Sequence, residues 1–339
     1  MTNRKRVDLP TDSAFRYTSG FRGRSVPLIR RALYALRALV LSPIVVLEWK
    51  AIVGLRKSQS KSAVTFLADL ANASQGSGLE FANRLTVLLR YRQTREFDNQ
   101  RISVTSQSGS DTRIEAIDSA IQKLNTDGFA TVREFMQPAK ATELLQKIEL
   151  LPGRDTSGTR YQSQNEWMSQ PFTGPRFDTD STVLASITEL SDLTRADFIL
   201  RIARQYLGCA PIAVSALSWT TKPPRVGSRT ELEDAAMAYH CDSDYFSFLK
   251  FFVLLTDVRE ENGPFSFVAA SHRGKRHVAG RMPDDEIVGN GDRVLFGTGQ
   301  SGDLLIADTK GWHKAQPPVR GRRVMIQLLF ASNLFGFPN

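Results

Sequence analysis

One histidine and two aspartates stand close together in the stretch AYHCDSDYFSFLKFFVLLTD, residues 238–257. Imidazole nitrogens and carboxylate oxygens are common ligands of transition metals, so the spacing indicates a metal site beside a buried strand. In one continuous strand His240 and Asp242 would share a face, about 7 Å apart at the backbone. Asp244 would lie about 13 Å from His240, too far to share an ion whose ligand bonds are about 2 Å.

A third metal ligand has to come from elsewhere, and the chain has four histidines. His313 follows the strand-like segment DLLIADT, whereas His272 and His277 lie in a basic loop. Two histidines and one carboxylate leave metal positions open, which is the arrangement associated with non-haem Fe(II) oxygenases. The alternative is that these are ordinary polar residues at strand ends.

Two arginines begin the apolar segment GRRVMIQLLFAS, residues 321–332. Arg322 and Arg323 are neighbours in a predicted strand, so they face opposite sides and one of them points inward. An unpaired guanidinium is costly to bury, and an internal arginine therefore predicts an internal anion. The planar guanidinium suits a carboxylate, such as the far end of a dicarboxylate cosubstrate that chelates the metal.

The elements that would hold these side chains are short strands separated by glycine and proline turns. Such a pattern is typical of an antiparallel sandwich or barrel of the jelly-roll type. A helix, a DGF turn, a short strand and a second helix that starts after the proline of FMQPAK come before it. The sequence thus predicts a mainly β fold with flanking helices. The predicted strands cover residues 211–221, 246–258, 264–271, 292–297, 303–309 and 322–332.

Positive charge is concentrated at the start of the chain. Residues 1–61 hold 13 lysines and arginines and 3 acidic residues, so their formal net charge is +10. The whole chain has a net charge of +9, so the remaining residues sum to −1. The basic arm is suited to anionic lipid, nucleic acid or an acidic partner, or it is simply solvated. With only two cysteines and no CxxC pair, a reducing, cytoplasmic compartment is expected.

An apolar segment at residues 32–55 lies within the basic arm. Its longest run without charge, residues 38–47, is about half the length that a bilayer crossing needs. We therefore expect either an interfacial amphipathic helix or a helix packed on the main domain. A polar stretch near residue 110 predicts the boundary between a helical N-terminal extension, residues 1–110, and the main domain, residues 111–339.

Several segments resemble, in order and spacing, the phytanoyl-CoA dioxygenase family of Fe(II)- and 2-oxoglutarate-dependent oxygenases. They are GFATVREFMQPAKATELLQKI, TKPPRVG, AYHCDSDYFSFLKFFVLLTDVREENGPFSFVAASHR, GDLLIADTKGWHKA and GRRVMIQLLFAS, between about residues 116 and 333. The resemblance implies a double-stranded β-helix, the jelly-roll core shared with cupins.

By this resemblance the iron ligands are His240, Asp242 and His313. It also assigns Arg323 to 2-oxoglutarate, and it places Lys222 of TKPP near the active site, in contact with cosubstrate or substrate. With dioxygen, such an enzyme hydroxylates a C–H bond and releases succinate and carbon dioxide. The expected substrate is a small or lipid-like molecule, and the basic arm is expected to contact the inner face of a membrane.

Two other functions are compatible with the same core. A cupin-like metal-binding or scaffold protein would keep the barrel without turnover, but the intact set of ligands argues against it. A nucleic-acid-demethylating oxygenase would explain the basic arm. However, the charge lies outside the catalytic part, and the strand RRVMIQLLF lacks a further downstream arginine, so nucleic acid is not an expected partner.

Overall fold

The computed structural model describes residues 111–333, except 171–172, 225–234, 243, 246, 274–280 and 290. Before residue 111 it describes only residues 36, 87–88, 90 and 93–99. The predicted apolar helix at residues 32–55, apart from residue 36, and the predicted linker near residue 110 therefore lie outside the described residues. His277 lies outside them as well.

The first half of the described chain alternates helices with short strands. Its elements, in order, are α1 (Asp111–Asp127), β1 (Phe129–Val132), α2 (Pro138–Glu149), β2 (Gly153–Asp155), β3 (Arg160–Tyr161), α3 (Gln164–Ser169), β4 (Arg176–Thr179), α4 (Ser181–Leu184), α5 (Thr188–Arg195) and α6 (Asp197–Leu207). Helix α2 begins with Pro138, whose fixed backbone angle suits the first turn. Gly208 ends α6 in the left-handed conformation.

The second half of the described chain is mostly strand, as the sequence predicts. Its elements are β5 (Ile212–Thr221), β6 (Tyr239–His240), β7 (Phe248–Leu254), β8 (Phe265–Val268), β9 (Arg281–Met282), α7 (Asp284–Gly289), β10 (Val294–Gly297), β11 (Leu304–Ala307), β12 (His313–Ala315) and β13 (Arg323–Ala331). Two single-turn 3-10 helices, Glu260–Asn262 and Ser271–Arg273, flank β8.

The strands form two antiparallel sheets. The larger sheet has eight strands in the order β1-β11-β7-β13-β5-β4-β2-β3, and the smaller has five in the order β10-β8-β12-β6-β9. Aromatic side chains of β8 in the smaller sheet pack against apolar side chains of β5, β7, β11 and β13 in the larger one. Two facing antiparallel sheets with helices outside them confirm the predicted jelly-roll core with flanking helices.

Strand β13 shows how sequence alternation builds the layers. All nine of its residues are buried, because one face packs on helices and the other faces the second sheet. Val324, Ile326, Leu328 and Phe330 belong to the cluster that packs under α1, α2 and α6. The alternate residues, Arg323, Met325, Gln327 and Leu329, line a cavity between the sheets. The inner face of this central strand thus carries the polar side chains that the outer face lacks.

One sequence expectation about this region is wrong. Residues 238–256 are not one strand, because β6 ends at His240 in the smaller sheet and β7 begins at Phe248 in the larger sheet. The chain crosses from one sheet to the other between them. Polar residues concentrated between the two strands are more consistent with a crossing segment than with the inside of a strand.

Part of the N-terminal extension contacts the main domain. The guanidinium of Arg90 donates to the carbonyl oxygens of Ala210 and Ser332 at 2.7 and 2.6 Å. Arg204 in α6 donates two hydrogen bonds to the carboxylate of Asp98, at 2.9 and 2.7 Å. The predicted domain boundary near residue 110 stays a prediction.

In the described part of the chain, no helix combines the length and the apolar character that spanning a membrane requires.

Gly128 lies in the turn between α1 and β1, and a substitution there tests how tightly this turn packs on β8. Its φ is 81°, and an added Cβ would lie 2.4 Å from His272 Nδ1 and 2.9 Å from Phe267 Cζ. A left-handed alanine costs about 1–2 kcal/mol and overpacking about 1–3 kcal/mol. We expect Gly128→Ala to lower the free energy of unfolding in urea by at least about 2 kcal/mol.

The matched control for this substitution is Gly158→Ala. Gly158 has a φ of 86°, but its added Cβ would meet nothing within 4 Å. This substitution should cost only the backbone strain, about 1 kcal/mol. Equal losses in the two variants would contradict the proposed packing at Gly128.

Candidate metal centre

His240 and His313 face each other across two short strands of the smaller sheet. The strands β6 and β12 pair through these two residues, so the histidines are direct neighbours across the ladder. Their ring centroids are 4.3 Å apart. Asp242, just beyond the end of β6, has Oδ1 at 3.7 Å from His240 Nε2 and Oδ2 at 3.4 Å from His313 Nε2. The three side chains offer ligand atoms within 4.8 Å of one another, close enough for one metal ion.

Backbone hydrogen bonds orient all three side chains. Nδ1 of His240 lies 2.8 Å from the carbonyl oxygen of Ala238, and Nδ1 of His313 lies 2.9 Å from that of Gly311. The backbone amide of Asp242 donates to the carbonyl oxygen of Thr309 at 2.8 Å. A histidine that donates its Nδ1 proton to a carbonyl presents an unprotonated Nε2, which is the form that binds metals.

The protonation states also suit a metal site. Burial, assisted by the charge of His313, lowers the pKa of His240 to about 3, so this ring is neutral at neutral pH. Burial alone would raise the pKa of Asp242, but the Lys250 ammonium and then His313 outweigh it and hold that pKa well below its usual range. A neutral imidazole and an ionised carboxylate are what a divalent cation requires.

Asp244 lies beside the three residues without joining them. It is outside the group whose ligand atoms converge, and its Oδ2 is 2.8 Å from Lys250 Nζ. The same ammonium lies 2.6 Å from Asp242 Oδ2. The expectation that Asp244 is too distant to be a ligand rested on a regular strand, which the structure does not have. Asp244 instead contacts the site through Lys250.

Arg323 is fully buried at the inner face of the larger sheet. Among the described residues, no acceptor lies within hydrogen-bond distance of its Nε, Nη1 or Nη2. Burial and the nearby charge of Arg176 lower its pKa to about 9, which still leaves it protonated at neutral pH. Arg322, on the opposite face, forms an ion pair with Glu149. The structure thus shows which of the two arginines points inward.

Arg323 belongs to a row of side chains that crosses three strands. Thr221 of β5 is its register partner on one side and is in turn the partner of Arg176 in β4. Residues paired in this way share a face of the sheet. The hydroxyl of Thr221 is also buried and, within the described part of the chain, has no hydrogen-bond partner. Two arginines and an unpaired hydroxyl therefore form one polar row.

His240, Asp242, His313 and Arg323 all line one cavity of about 470 Å³ between the sheets. Arg176, Trp219 and Arg323 line one part of it, and Asp244, Tyr245 and Lys250 line another. Its remaining walls are largely apolar and include Leu217, Phe252, Phe265, Met325 and Leu329.

The structure does not bring every predicted residue to the cavity. Lys222 follows β5 directly, but its ammonium lies 4.2 Å from the ring centroid of Trp167 and it is not among the described residues that line the cavity. Its contact with cosubstrate or substrate stays a prediction. His272, in the 3-10 helix after β8, packs against Gly128.

Three polar residues in or beside the cavity were not identified from the sequence. Thr221 and Arg176 become recognisable only through strand register, which joins them to Arg323. Lys250 did carry a signal, because it is a charged residue in the middle of the apolar run FLKFFVL. Lysine is rarely buried without a partner, so its position in a buried strand predicts a nearby carboxylate.

A jelly roll whose cavity combines a His-Asp-His group with an unpaired internal arginine has the features of a metal-dependent oxygenase. Residues 124–322 match the family described as phytanoyl-CoA dioxygenase (PhyH). The chain belongs to this family, which confirms the predicted family and its oxygenase class. No curated protein matches the chain in sequence.

Several solved structures are similar to the chain. HygX from Streptomyces hygroscopicus, with nickel and 2-oxoglutarate bound, is 14% identical with a TM-score of 0.46, and the match covers 63% of this chain and 86% of HygX. The α-ketoglutarate-dependent epimerase SnoN of nogalamycin biosynthesis is 16% identical with a TM-score of 0.44, covering 64% and 82%. The carbocyclase SnoK of the same biosynthesis is 15% identical with a TM-score of 0.46, covering 66% and 87%.

Metal binding by this site is directly testable. We expect the protein to bind one Co(II) per chain, measured by equilibrium dialysis, because three oriented ligands converge. His240→Ala and Asp242→Ala each remove one of them and should weaken binding by more than about 100-fold, beyond the loss typical of outer-shell residues. His272→Ala, which changes a histidine outside the group, is the matched control. Equal loss in all three variants would contradict this assignment.

Proposed function

We propose that the protein is an Fe(II)- and 2-oxoglutarate-dependent dioxygenase that hydroxylates a C–H bond of a small or lipid-like molecule. The observation that carries the proposal is the unpaired, fully buried guanidinium of Arg323 in the same cavity as the His-Asp-His group. A buried charge without a partner is costly, and an anionic cosubstrate would compensate it. Membership of the phytanoyl-CoA dioxygenase family supports the same chemistry.

His240, Asp242 and His313 would hold the iron. Two histidines and one carboxylate match the facial set of ligands used by non-haem Fe(II) oxygenases. Iron in such a site supplies the activation of dioxygen, coupled to oxidative decarboxylation of 2-oxoglutarate to succinate and carbon dioxide. Because Asp242 would supply the third protein ligand, it would occupy the position that a halide takes in related halogenases, which favours hydroxylation over halogenation.

Arg323 would bind the distal carboxylate of 2-oxoglutarate. Its planar guanidinium can donate two parallel hydrogen bonds to a carboxylate. Arg176 adds positive charge, while its own guanidinium is held by Asp178 through hydrogen bonds of 2.8 and 2.6 Å. It also stacks on Trp219, with the guanidinium carbon 4.7 Å from the ring centroid. Arg323 is therefore the arginine left free for the ligand among those that line the cavity.

The chain contributes orientation and exclusion of water. The apolar walls around the polar row keep water away from the reacting groups and strengthen their electrostatic interactions. The cavity of about 470 Å³ falls in the range that holds small molecules together with a cosubstrate. Its mixture of aromatic, aliphatic and polar walls suits a small molecule with an apolar portion, which includes lipid-like molecules.

We further propose that the basic arm, residues 1–61, brings the enzyme to the inner face of a membrane. The support is its balance of +10 and the interrupted apolar segment at residues 32–55. Basic residues near an anionic surface contribute about 1 kcal/mol each, and an amphipathic helix adds apolar burial. A lipid-like substrate would be reached from this position.

The cosubstrate site can be tested by anaerobic spectroscopy. Fe(II) and 2-oxoglutarate together should give the weak visible charge-transfer band of the chelate. Arg323→Ala should raise the 2-oxoglutarate concentration needed for half of the band by about 10–100-fold, because one charge-assisted carboxylate contact of about 1.5–3 kcal/mol is lost. Iron binding should change little, because the metal ligands remain.

Arg322→Ala is the matched control for this experiment. It removes the neighbouring arginine, whose partner Glu149 lies outside the cavity. A shift of the same size in both variants would show that Arg323 does not hold the cosubstrate. A wild-type protein that binds iron but gives no band with 2-oxoglutarate would contradict the dioxygenase proposal itself.

Removal of residues 1–60 tests the membrane proposal. Cosedimentation with vesicles of phosphatidylcholine and phosphatidylserine should be lost, because most of the excess positive charge is removed. Binding of the full chain should weaken as salt is raised, since the attraction is electrostatic. Unchanged cosedimentation of the truncated protein would contradict the proposal.

A further inference from the structure

Lys250 is a charged residue at the centre of a buried strand. All seven residues of β7 are buried, and Lys250 is only 7% exposed. It pairs with Leu329 of β13 and so points toward the cavity that β13 lines. Burying a lysine between apolar neighbours is costly unless the ammonium is fully paired, so its position calls for a role beyond packing.

The ammonium of Lys250 connects two carboxylates. It lies 2.6 Å from Asp242 Oδ2 and 2.8 Å from Asp244 Oδ2. Lys250 is therefore a charged donor that points at one oxygen of a candidate metal ligand.

This contact distinguishes the two oxygens of Asp242. Oδ2 accepts the hydrogen bond from Lys250 at 2.6 Å and also lies 3.4 Å from His313 Nε2, whereas Oδ1 lies 3.7 Å from His240 Nε2. An octahedral metal with three protein ligands has room for a chelating 2-oxo acid and for dioxygen only if the carboxylate binds through one oxygen. If the carboxylate bound through both oxygens, it would occupy a metal position that the 2-oxo acid or dioxygen needs.

We propose that Lys250 is a positioning residue that holds Oδ2 of Asp242, so that only Oδ1 binds the metal. Asp244 keeps the ammonium in place by accepting its second short contact. This inference rests on the metal site of the proposed function and adds two residues to it. Outer-shell partners of this kind typically change metal affinity or activity by about 10–100-fold when they are removed.

A different role for Lys250 would have the opposite effect on metal binding. If the ammonium served only as a positive charge beside Asp242, it would compete with the metal for the carboxylate. Its removal would then strengthen metal binding. A positioning role predicts weaker binding and a changed ligand geometry, so the sign of the effect decides between the two.

The test uses the full chain with Co(II), whose visible spectrum reports ligand geometry, followed by 2-oxoglutarate without oxygen. Lys250→Met keeps an unbranched side chain that is one atom shorter and removes its charge. We expect the dissociation constants of Co(II) and of 2-oxoglutarate to rise by about ten-fold each, with a changed cobalt spectrum. Asp244→Asn should shift both constants in the same direction by a smaller factor, because it loosens the ammonium without removing it.

Lys314→Met is the matched control. Lys314 is also a buried lysine and follows His313 directly, but its ammonium pairs with Asp284 and lies over the ring of Tyr239. This variant should keep both constants within about two-fold, since it loses no contact to a ligand. Thermal melting of each metal-free variant reports folding. If Lys250→Met does not fold, the metal and 2-oxoglutarate constants of Asp244→Asn decide whether Lys250 positions Asp242.

Two results would overturn the positioning role. One is a Lys250→Met protein with unchanged constants and an unchanged cobalt spectrum, and the other is tighter Co(II) binding by that variant. If Lys250→Met does not fold, unchanged constants in Asp244→Asn would overturn it. Wild-type protein that binds Co(II) but not 2-oxoglutarate would contradict the dioxygenase function instead. The Co(II) comparison between the variants would still test Lys250.

Discussion

Charge enclosed between two sheets has to be compensated inside the same cavity, because a protein interior solvates ions poorly. In this protein the compensation differs between two parts of one cavity. The Lys250 ammonium lies between the carboxylates of Asp242 and Asp244, so that part is internally paired. Arg323 has no such partner among the described residues. The charge of Arg323 is therefore not compensated by the side chains that the structure describes.

The charged and metal-ligating side chains of the cavity come from both sheets. The smaller sheet carries His240 and His313 on paired strands, and the larger sheet carries Arg323 and Lys250 on neighbouring strands. The segment between β6 and β7 connects the sheets and carries Asp242 and Asp244. The relative position of the metal group and the arginine therefore depends on how the sheets face each other, which the aromatic side chains between them maintain.

Much of this was predictable from local patterns. The long strands β5, β7 and β13 agree with the apolar segments bounded by glycine and proline, because alternation and turn residues act over a few neighbours. The inward orientation of one arginine followed from the same alternation. Strands of two or three residues, such as β6 and β12, were not predictable, because so few residues carry no periodic signal.

The remaining features depend on pairing between distant segments. Nothing near Thr221 or Arg176 in the sequence indicates that they stand in one row with Arg323, since strand register alone brings them together. The division of residues 238–256 between two sheets was missed for a related reason. A polar crossing segment between two strands has the same composition as a polar interruption within one strand, and only the sheet partners distinguish them.

Strand β13 also sets a scale inside the cavity. Arg323 begins it, and Leu329, which pairs with Lys250, stands six residues later, roughly 20 Å along the strand. A short dicarboxylate held at Arg323 covers only part of that length. If Arg323 binds the cosubstrate as proposed, the stretch near Ser215, Tyr245 and Leu329 would be left for a second molecule. The side chains with which this strand lines the cavity are therefore spread over a distance longer than one short dicarboxylate.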